Sequence, residues 1–164
     1  MEPEIIPVLR ELGIGLVPFC PLGRGFLTGE VKRAEEYPMS DIRHTDPRYQ
    51  GGNYDANRKI VQSVYELAAD KNVKPGQIAL AWLLHKGPDI VPIPGTKHRD
   101  HLEDNLAAVE VELDEAQMRT PYVCMCAADS CARPYQNASW PVRFHPQHRQ
   151  KSQIYSMGSN SFSN

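Results

Sequence analysis

The chain has 164 residues and a formal net charge of -2 at pH 7, from 18 basic against 20 acidic side chains. That length sits near the mode for one domain. The balanced charge excludes a nucleic-acid surface and an acidic solvating tail, and no apolar run approaches the ~18 residues that a membrane helix needs. The opening MEPEIIPVLRELG begins with acid and proline rather than a basic stretch and an apolar core. It does not read as a signal peptide, so a soluble cytoplasmic protein with no nucleic-acid or membrane partner is the expectation.

In chain order, residues 3–12 fit a short helix with Ile5, Ile6, Leu9 and Leu12 on one stripe and Gly13 as its C-terminal cap. Pro3 suits a first turn, and Pro7 is accommodated only if it too lies in the first turn, where no hydrogen bond is lost. Residues 14–20, IGLVPFC, form an apolar run that predicts a strand buried on both faces. The segment PLGRGFLTGE follows, with three glycines in the seven residues from Gly23 to Gly29. Residues 31–56 are polar, aromatic and proline-containing, and predict a long loop with little regular structure.

Residues 57–71 predict an amphipathic helix from the spacing of Ile60, Val61, Val64, Leu67 and Ala68. Residues 75–86, PGQIALAWLLHK, predict a second helix with Pro75 at its start, broadly apolar and ended by Gly87-Pro88. Residues 89–94, DIVPIP, predict another buried strand. After the Gly95-Thr96 turn, residues 99–109 predict a helix with Leu102, Leu106 and Val109 inward, and a further capped helix begins at Asp114. Strands alternating with helices indicate an α/β protein with parallel strands. Two strands leave open edges and uncovered faces, and a (β/α)₈ barrel takes about 250 residues and eight strands. The pattern is that of a piece of such a barrel.

Chemistry concentrates in three segments. The first, Phe19 to Gly29, lies at the C-terminal end of a predicted strand, the face where barrel active sites lie. Its glycines allow close backbone approach to a ligand, and exposed amides suit a phosphate. On local pattern alone, an ordinary glycine-rich loop with Phe19 in the core is the stronger reading. The second, Pro94 to Asn105, runs from strand end through a tight turn into a helix. Free amides there attract anions, Thr96 can cap or bond a phosphate, and Lys97 and Arg99 oppose the helix dipole unless an anion is expected. A solvated basic turn explains the local pattern equally well. The third is Cys124-x-Cys126-x₄-Cys131 with His145 and His148. Neither pair has zinc-ligand spacing, and no metal site is expected.

The first two segments together resemble the aldo-keto reductases. GIGLVPFCPLGRGFLTG is similar to that family's seventh-strand segment, G-I-x-x-x-x-Y-S-P-L-G-R-G-x-L-T-G. VPIPGTKHRDHLEDNLAA is similar to its eighth-strand segment, I-P-G-[ST]-x-x-x-x-x-L-x-E-N-x-x-A. The likeness covers residues 1–118 and implies a partial (β/α)₈ TIM barrel, holding the seventh and eighth strands with their helices. It also implies an oxidoreductase that transfers hydride between NADPH and a small-molecule aldehyde or ketone. By this resemblance Phe19 stacks on the nicotinamide and Cys20 replaces the usual serine near the cofactor phosphates. Leu22, Gly23 and Arg24 line the pyrophosphate, and Gly95, Thr96 and Lys97 hold the adenosine 2′-phosphate. His101 stands where arginine or glutamine is common, and Asp104 and Asn105 face the adenine, with Asp104 in place of glutamate.

The family's catalytic tyrosine, lysine, aspartate and histidine belong to the first half of its barrel, so none maps onto this sequence and no catalytic residue is expected. Tyr37, Tyr49, Tyr54 and Tyr65 follow the seventh-strand segment and lack the motif of a proton donor, as do His98 and His101. The resemblance therefore implies a fragment inactive alone. The alternatives are half of a split reductase whose N-terminal half is encoded separately, and a non-catalytic nucleotide- or protein-binding module. Residues 119–164 hold three of the four cysteines and no apolar period, and are expected to be a non-homologous tail, disordered or read in a shifted frame. The sequon at Asn137 carries no meaning in a cytoplasmic chain.

Overall fold

The computed structural model describes residues 4–119. Six helices follow in order: α1 Ile5–Glu11, α2 Ile42–Thr45, α3 Gly51–Asp70, α4 Pro75–His85, α5 Arg99–Ala107 and α6 Glu115–Met118. Short 3₁₀ turns cover Gly23–Gly25, Ala34–Glu36, Pro47–Tyr49 and Ala108–Glu110. No helix of the described residues is long and apolar enough to cross a membrane. The tail cysteines and histidines, Pro3 and the Asn137 sequon lie outside the described residues.

The core forms where α3 meets α4. Val61, Val64, Leu67 and Ala68 from α3 close on Ile78, Ala79, Ala81, Trp82 and Leu83 from α4, and Phe26, Leu27, Val31, Ala34, Tyr49, Ile90, Val111 and Leu113 complete the cluster. Burying each large aliphatic side chain stabilises by roughly 1.5–3 kcal/mol, so this seam supplies most of the packing. The starts of α4 and α6 have clear local causes. Pro75 opens α4 without losing a bond, and Gln77 Oε1 accepts from the Lys74 amide at 2.8 Å. Asp114 opens α6 by a reciprocal box with Gln117, at 2.8 and 3.0 Å. The Trp82 indole donates to the Met118 carbonyl at 3.2 Å, tying α6 to α4.

The predicted helix at 3–12 is α1. Pro7 is its third residue, in the first turn as required, and Gly13 closes it at φ +67°. Its stripe packs less than expected, because Ile5 and Leu12 are exposed and only Ile6 reaches the core. Arg10 instead fastens α1 to the turn after α4, donating to both oxygens of Asp89 at 2.9 and 3.0 Å and to the Lys86 carbonyl at 2.7 Å. Gly87 makes that approach possible: at φ +150°, a Cβ there would stand 2.6 Å from Arg10 Nη2.

Three expectations need correction. The two predicted strands are extended segments joined by one parallel bridge, Leu16 to Ile90, with Leu16 N donating to Asp89 O at 2.8 Å and Val91 N to Leu16 O at 2.9 Å. Pro18 removes the donor that would next extend the ladder, toward the Val91 carbonyl. Burial on both faces fails as well, since only Ile90 is fully buried while Ile14, Val17, Phe19, Val91 and Ile93 are exposed. The region 31–56 is not a bare loop. Asp41 and Asp46 each cap a short turn, accepting from the amides of Arg43 (2.9 Å) and Arg48 (3.1 Å), and α3 begins at Gly51 rather than Asn57. On α5 and the turn after it, Leu102, Leu106 and Val109 face outward and Ala108 is the buried residue, because no described element packs over that face.

Candidate functional site

A cleft of about 490 Å³ opens between the glycine-rich loop, the turn at 94–96, the start of α4 and the inner side of α5. That volume is within the range of small-molecule pockets. The sequence brings these parts together through the bridge between Leu16 and Ile90, which sets side by side the two segments whose ends carry the loop and the turn.

The loop is a tight coil of its own bonds. Gly23 N donates to Cys20 O at 2.9 Å, Gly25 N to Leu22 O at 3.0 Å, and Leu27 N also to Leu22 O at 3.2 Å. Two non-glycine residues adopt the left-handed region, Cys20 at φ +51° and Arg24 at φ +57°. L-residues occupy that region at a cost of order 1 kcal/mol, so the surroundings must hold them. The holder is Tyr49, wholly buried behind the loop, whose single hydroxyl proton is shared between Gly23 O at 3.0 Å and Arg24 O at 3.1 Å. Burial pushes the Tyr49 phenol well above its ordinary range, keeping it a donor.

Beneath Arg24 lies the buried carboxylate of Asp46. Arg48 grips it from Nη2 at 2.6 Å, and Arg24 Nη1 approaches it at 3.4 Å. Burial alone would raise this carboxyl, but hydrogen bonds from the Arg48 side chain and backbone, with the charges of Arg48 and Arg24, outweigh that and hold it below the usual carboxylate range. Arg43 is fixed the same way by the carboxylate two residues before it. It donates to Asp41 from Nε at 3.0 Å and Nη2 at 2.6 Å, and lies 4.1 Å over the Tyr37 ring. Hydrogen bonds from Arg43 hold Asp41 down to about 2. Arg43 Nη1 points toward the loop, 3.8 Å from where a Cβ on Gly25 would stand. Across the cleft, Lys74 Nζ donates to Asp104 Oδ2 at 2.6 Å.

Eight of the eleven residues picked from sequence line the cleft: Cys20, Leu22, Arg24, Gly95, Thr96, His101, Asp104 and Asn105. Phe19 does not, standing 77% exposed at the end of its extended segment, which corrects its alternative reading as a core residue. Gly23 turns its carbonyl back to Tyr49, and Lys97 is exposed beside the turn without lining the cleft. Thr96 does not cap α5, whose N-cap is His98; its hydroxyl instead holds the turn, accepting from the His98 amide at 3.1 Å.

Sequence reasoning missed Glu30, Tyr37, Arg43, Lys74 and Gln77 on the cleft wall. For Arg43 a signal existed: Asp-x-Arg recurs at 41–43 and 46–48, each arginine folding back on its own aspartate. For Lys74 there was none, because its partner is thirty positions away. The wall carries three cations, Arg24, Arg43 and Lys74, with Glu30 and Asp104 as its acids. Fixed guanidinium groups beside a glycine turn suit the oxygens of a phosphate ester.

The sequence model of the Aldo/keto reductase family matches residues 1–121. Aldo-keto reductase yakc of Schizosaccharomyces pombe, whose name carries NADP(+), is 44% identical over 120 residues, covering 72% of this chain and 35% of that protein. Probable aldo-keto reductase 1 of Glycine max is 40% identical over 137 residues, covering 84% of this chain and 39% of its own length. The chain thus spans little more than a third of these relatives. Among solved structures, a thermostable aldo-keto reductase, Tm1743, with the inhibitor epalrestat is 27% identical, with a TM-score of 0.48, covering 70% of this chain and 31% of that one.

Proposed function

The chain belongs to the aldo/keto reductase family, and we propose that it is the part of an NADPH-dependent oxidoreductase that grips the adenosine and pyrophosphate of the cofactor. The observation that carries this reading is the joining of the glycine-rich loop and the Gly95-Thr96 turn on one cation-bearing cleft. When bound, NADPH supplies the hydride that reduces a small aldehyde or ketone to an alcohol. This chain's own residues bind and orient it. Leu22, Gly23 and Arg24 meet the pyrophosphate, with Arg24 kept in place by Asp46 and Tyr49. Gly95, Thr96 and Lys97 meet the 2′-phosphate. Asp104 and Asn105 face the adenine beside His101, and Phe19 offers its exposed ring to the nicotinamide. Cys20 gives the phosphates a weaker donor than serine would.

In this reading residues 1–118 are the C-terminal part of a (β/α)₈ barrel in a cytoplasmic enzyme, residues 119–164 are an unrelated tail, and no residue of this chain moves the proton. Purified chain should then leave NADPH unoxidised at 340 nm in the presence of 4-nitrobenzaldehyde. Turnover abolished by a substitution within the chain would overturn this. The exposed apolar residues Ile14, Val17, Val91 and Ile93 along the two bridged segments favour a second reading, half of a split reductase whose other strands come from another polypeptide. Co-expression with a family N-terminal half should then restore activity, and failure of the two to co-purify would rule it out.

A further inference from the structure

Lys74 precedes α4 and Asp104 lies within α5, yet Nζ and Oδ2 stand 2.6 Å apart and both side chains line the cleft. Lys74 is 64% exposed and Asp104 27%. An ion pair this open adds little to fold stability, so its effect falls on the cleft. One oxygen of Asp104 is engaged, while Oδ1 has no hydrogen-bond partner among the described residues.

We propose that Lys74 is a positioning residue for the adenine end of the cofactor: it fixes one oxygen of Asp104 so that the other accepts from the exocyclic amino group of adenine. The inference rests on the NADPH reading above. An ionised carboxylate only accepts hydrogen bonds. It therefore favours a base carrying an amino group and disfavours one carrying a carbonyl oxygen at the same place. Left unpinned, Asp104 would place a mobile negative charge beside a ligand that bears several phosphates; the ammonium group offsets that charge. The hydrogen bond to Asp104 also raises the Lys74 pKa, keeping the cation in place.

The test compares NADPH with its hypoxanthine analogue, in which the amino group is replaced by a carbonyl oxygen, by titration calorimetry on the full chain. The wild-type chain should favour the adenine dinucleotide by roughly tenfold, the scale of one charge-assisted hydrogen bond. Asp104→Ala should bring the ratio close to one. Lys74→Met and Lys74→Gln should lower it to about twofold or less, and Lys74→Arg should restore it. Circular dichroism verifies that each variant is folded. A tenfold ratio surviving in the two neutral Lys74 variants would overturn the positioning role while leaving the NADPH reading intact, even if both affinities fell, since that pattern belongs to a direct phosphate contact. Wild-type chain that binds neither dinucleotide would overturn both readings.

Discussion

Tyr49→Phe removes a single oxygen and leaves the ring, which stands edge-on to Phe26 at 5.3 Å and to Tyr37 at 5.8 Å. Packing is therefore preserved and the change reads the hydroxyl alone. That hydroxyl serves two carbonyls. Gly23 O keeps a second donor, the Phe26 amide at 3.2 Å, whereas Arg24 O receives no other hydrogen bond among the described residues. A neutral hydrogen bond contributes about 1 kcal/mol net, and an acceptor left without a partner costs about 1–3 kcal/mol. The unpaired Arg24 carbonyl dominates, and the cost is about 2 kcal/mol, the middle of that range. With a urea slope of about 1–3 kcal/mol/M for a domain of this size, the unfolding midpoint followed by far-UV circular dichroism should fall by about 1 M with the slope unchanged. The left-handed Arg24 also loses its tether, so NADPH affinity should drop in the same variant. A midpoint within about 0.2 M of wild type would refute the claim that Tyr49 holds the loop.

Cys20→Ser puts a stronger donor at a position that already lines the cleft; NADPH should bind up to about fivefold tighter, about 1 kcal/mol, and an unchanged or weaker affinity in a fluorescence titration would contradict the phosphate role. The Asp46 carboxyl is held below its ordinary value in the folded state. Its contribution to stability is thus complete above the unfolded value of about 3.9 and is lost as pH falls through the lower folded one. The urea midpoint should decline on acidification below about pH 4, and Asp46→Asn should be less stable at pH 7 yet decline less steeply in acid. Parallel pH profiles for the two proteins would contradict this.

The helices other than α2, which lies in the segment read as a loop, were legible because their signals are local. Pro75 and the Asp114–Gln117 pair declare their starts, and the three- and four-residue spacing in α3 and α4 declares the buried face. The strands were legible only as apolar segments. A ladder needs neighbours, and with Pro18 lacking the next donor, Leu16 and Ile90 are the one bridged pair among the described residues. The outward Leu102 and Leu106 show the same limit: periodicity marks a face that can be buried, not what covers it. Most of the cleft was legible through the two motifs. Arg43 and Lys74 were not, since the first is aimed by a fold-back onto Asp41 and the second by a partner on another helix.

We propose above that this chain carries the grip on the adenosine 2′-phosphate. It is tested most directly by titrating NADPH and NADH against the wild-type chain and Lys97→Ala. Wild-type protein should bind NADPH at least about tenfold more tightly than NADH, as a charge-assisted contact to the extra phosphate implies, and Lys97→Ala should weaken NADPH while leaving NADH nearly unchanged. Equal affinity for the two dinucleotides, or equal losses on the substitution, would contradict it.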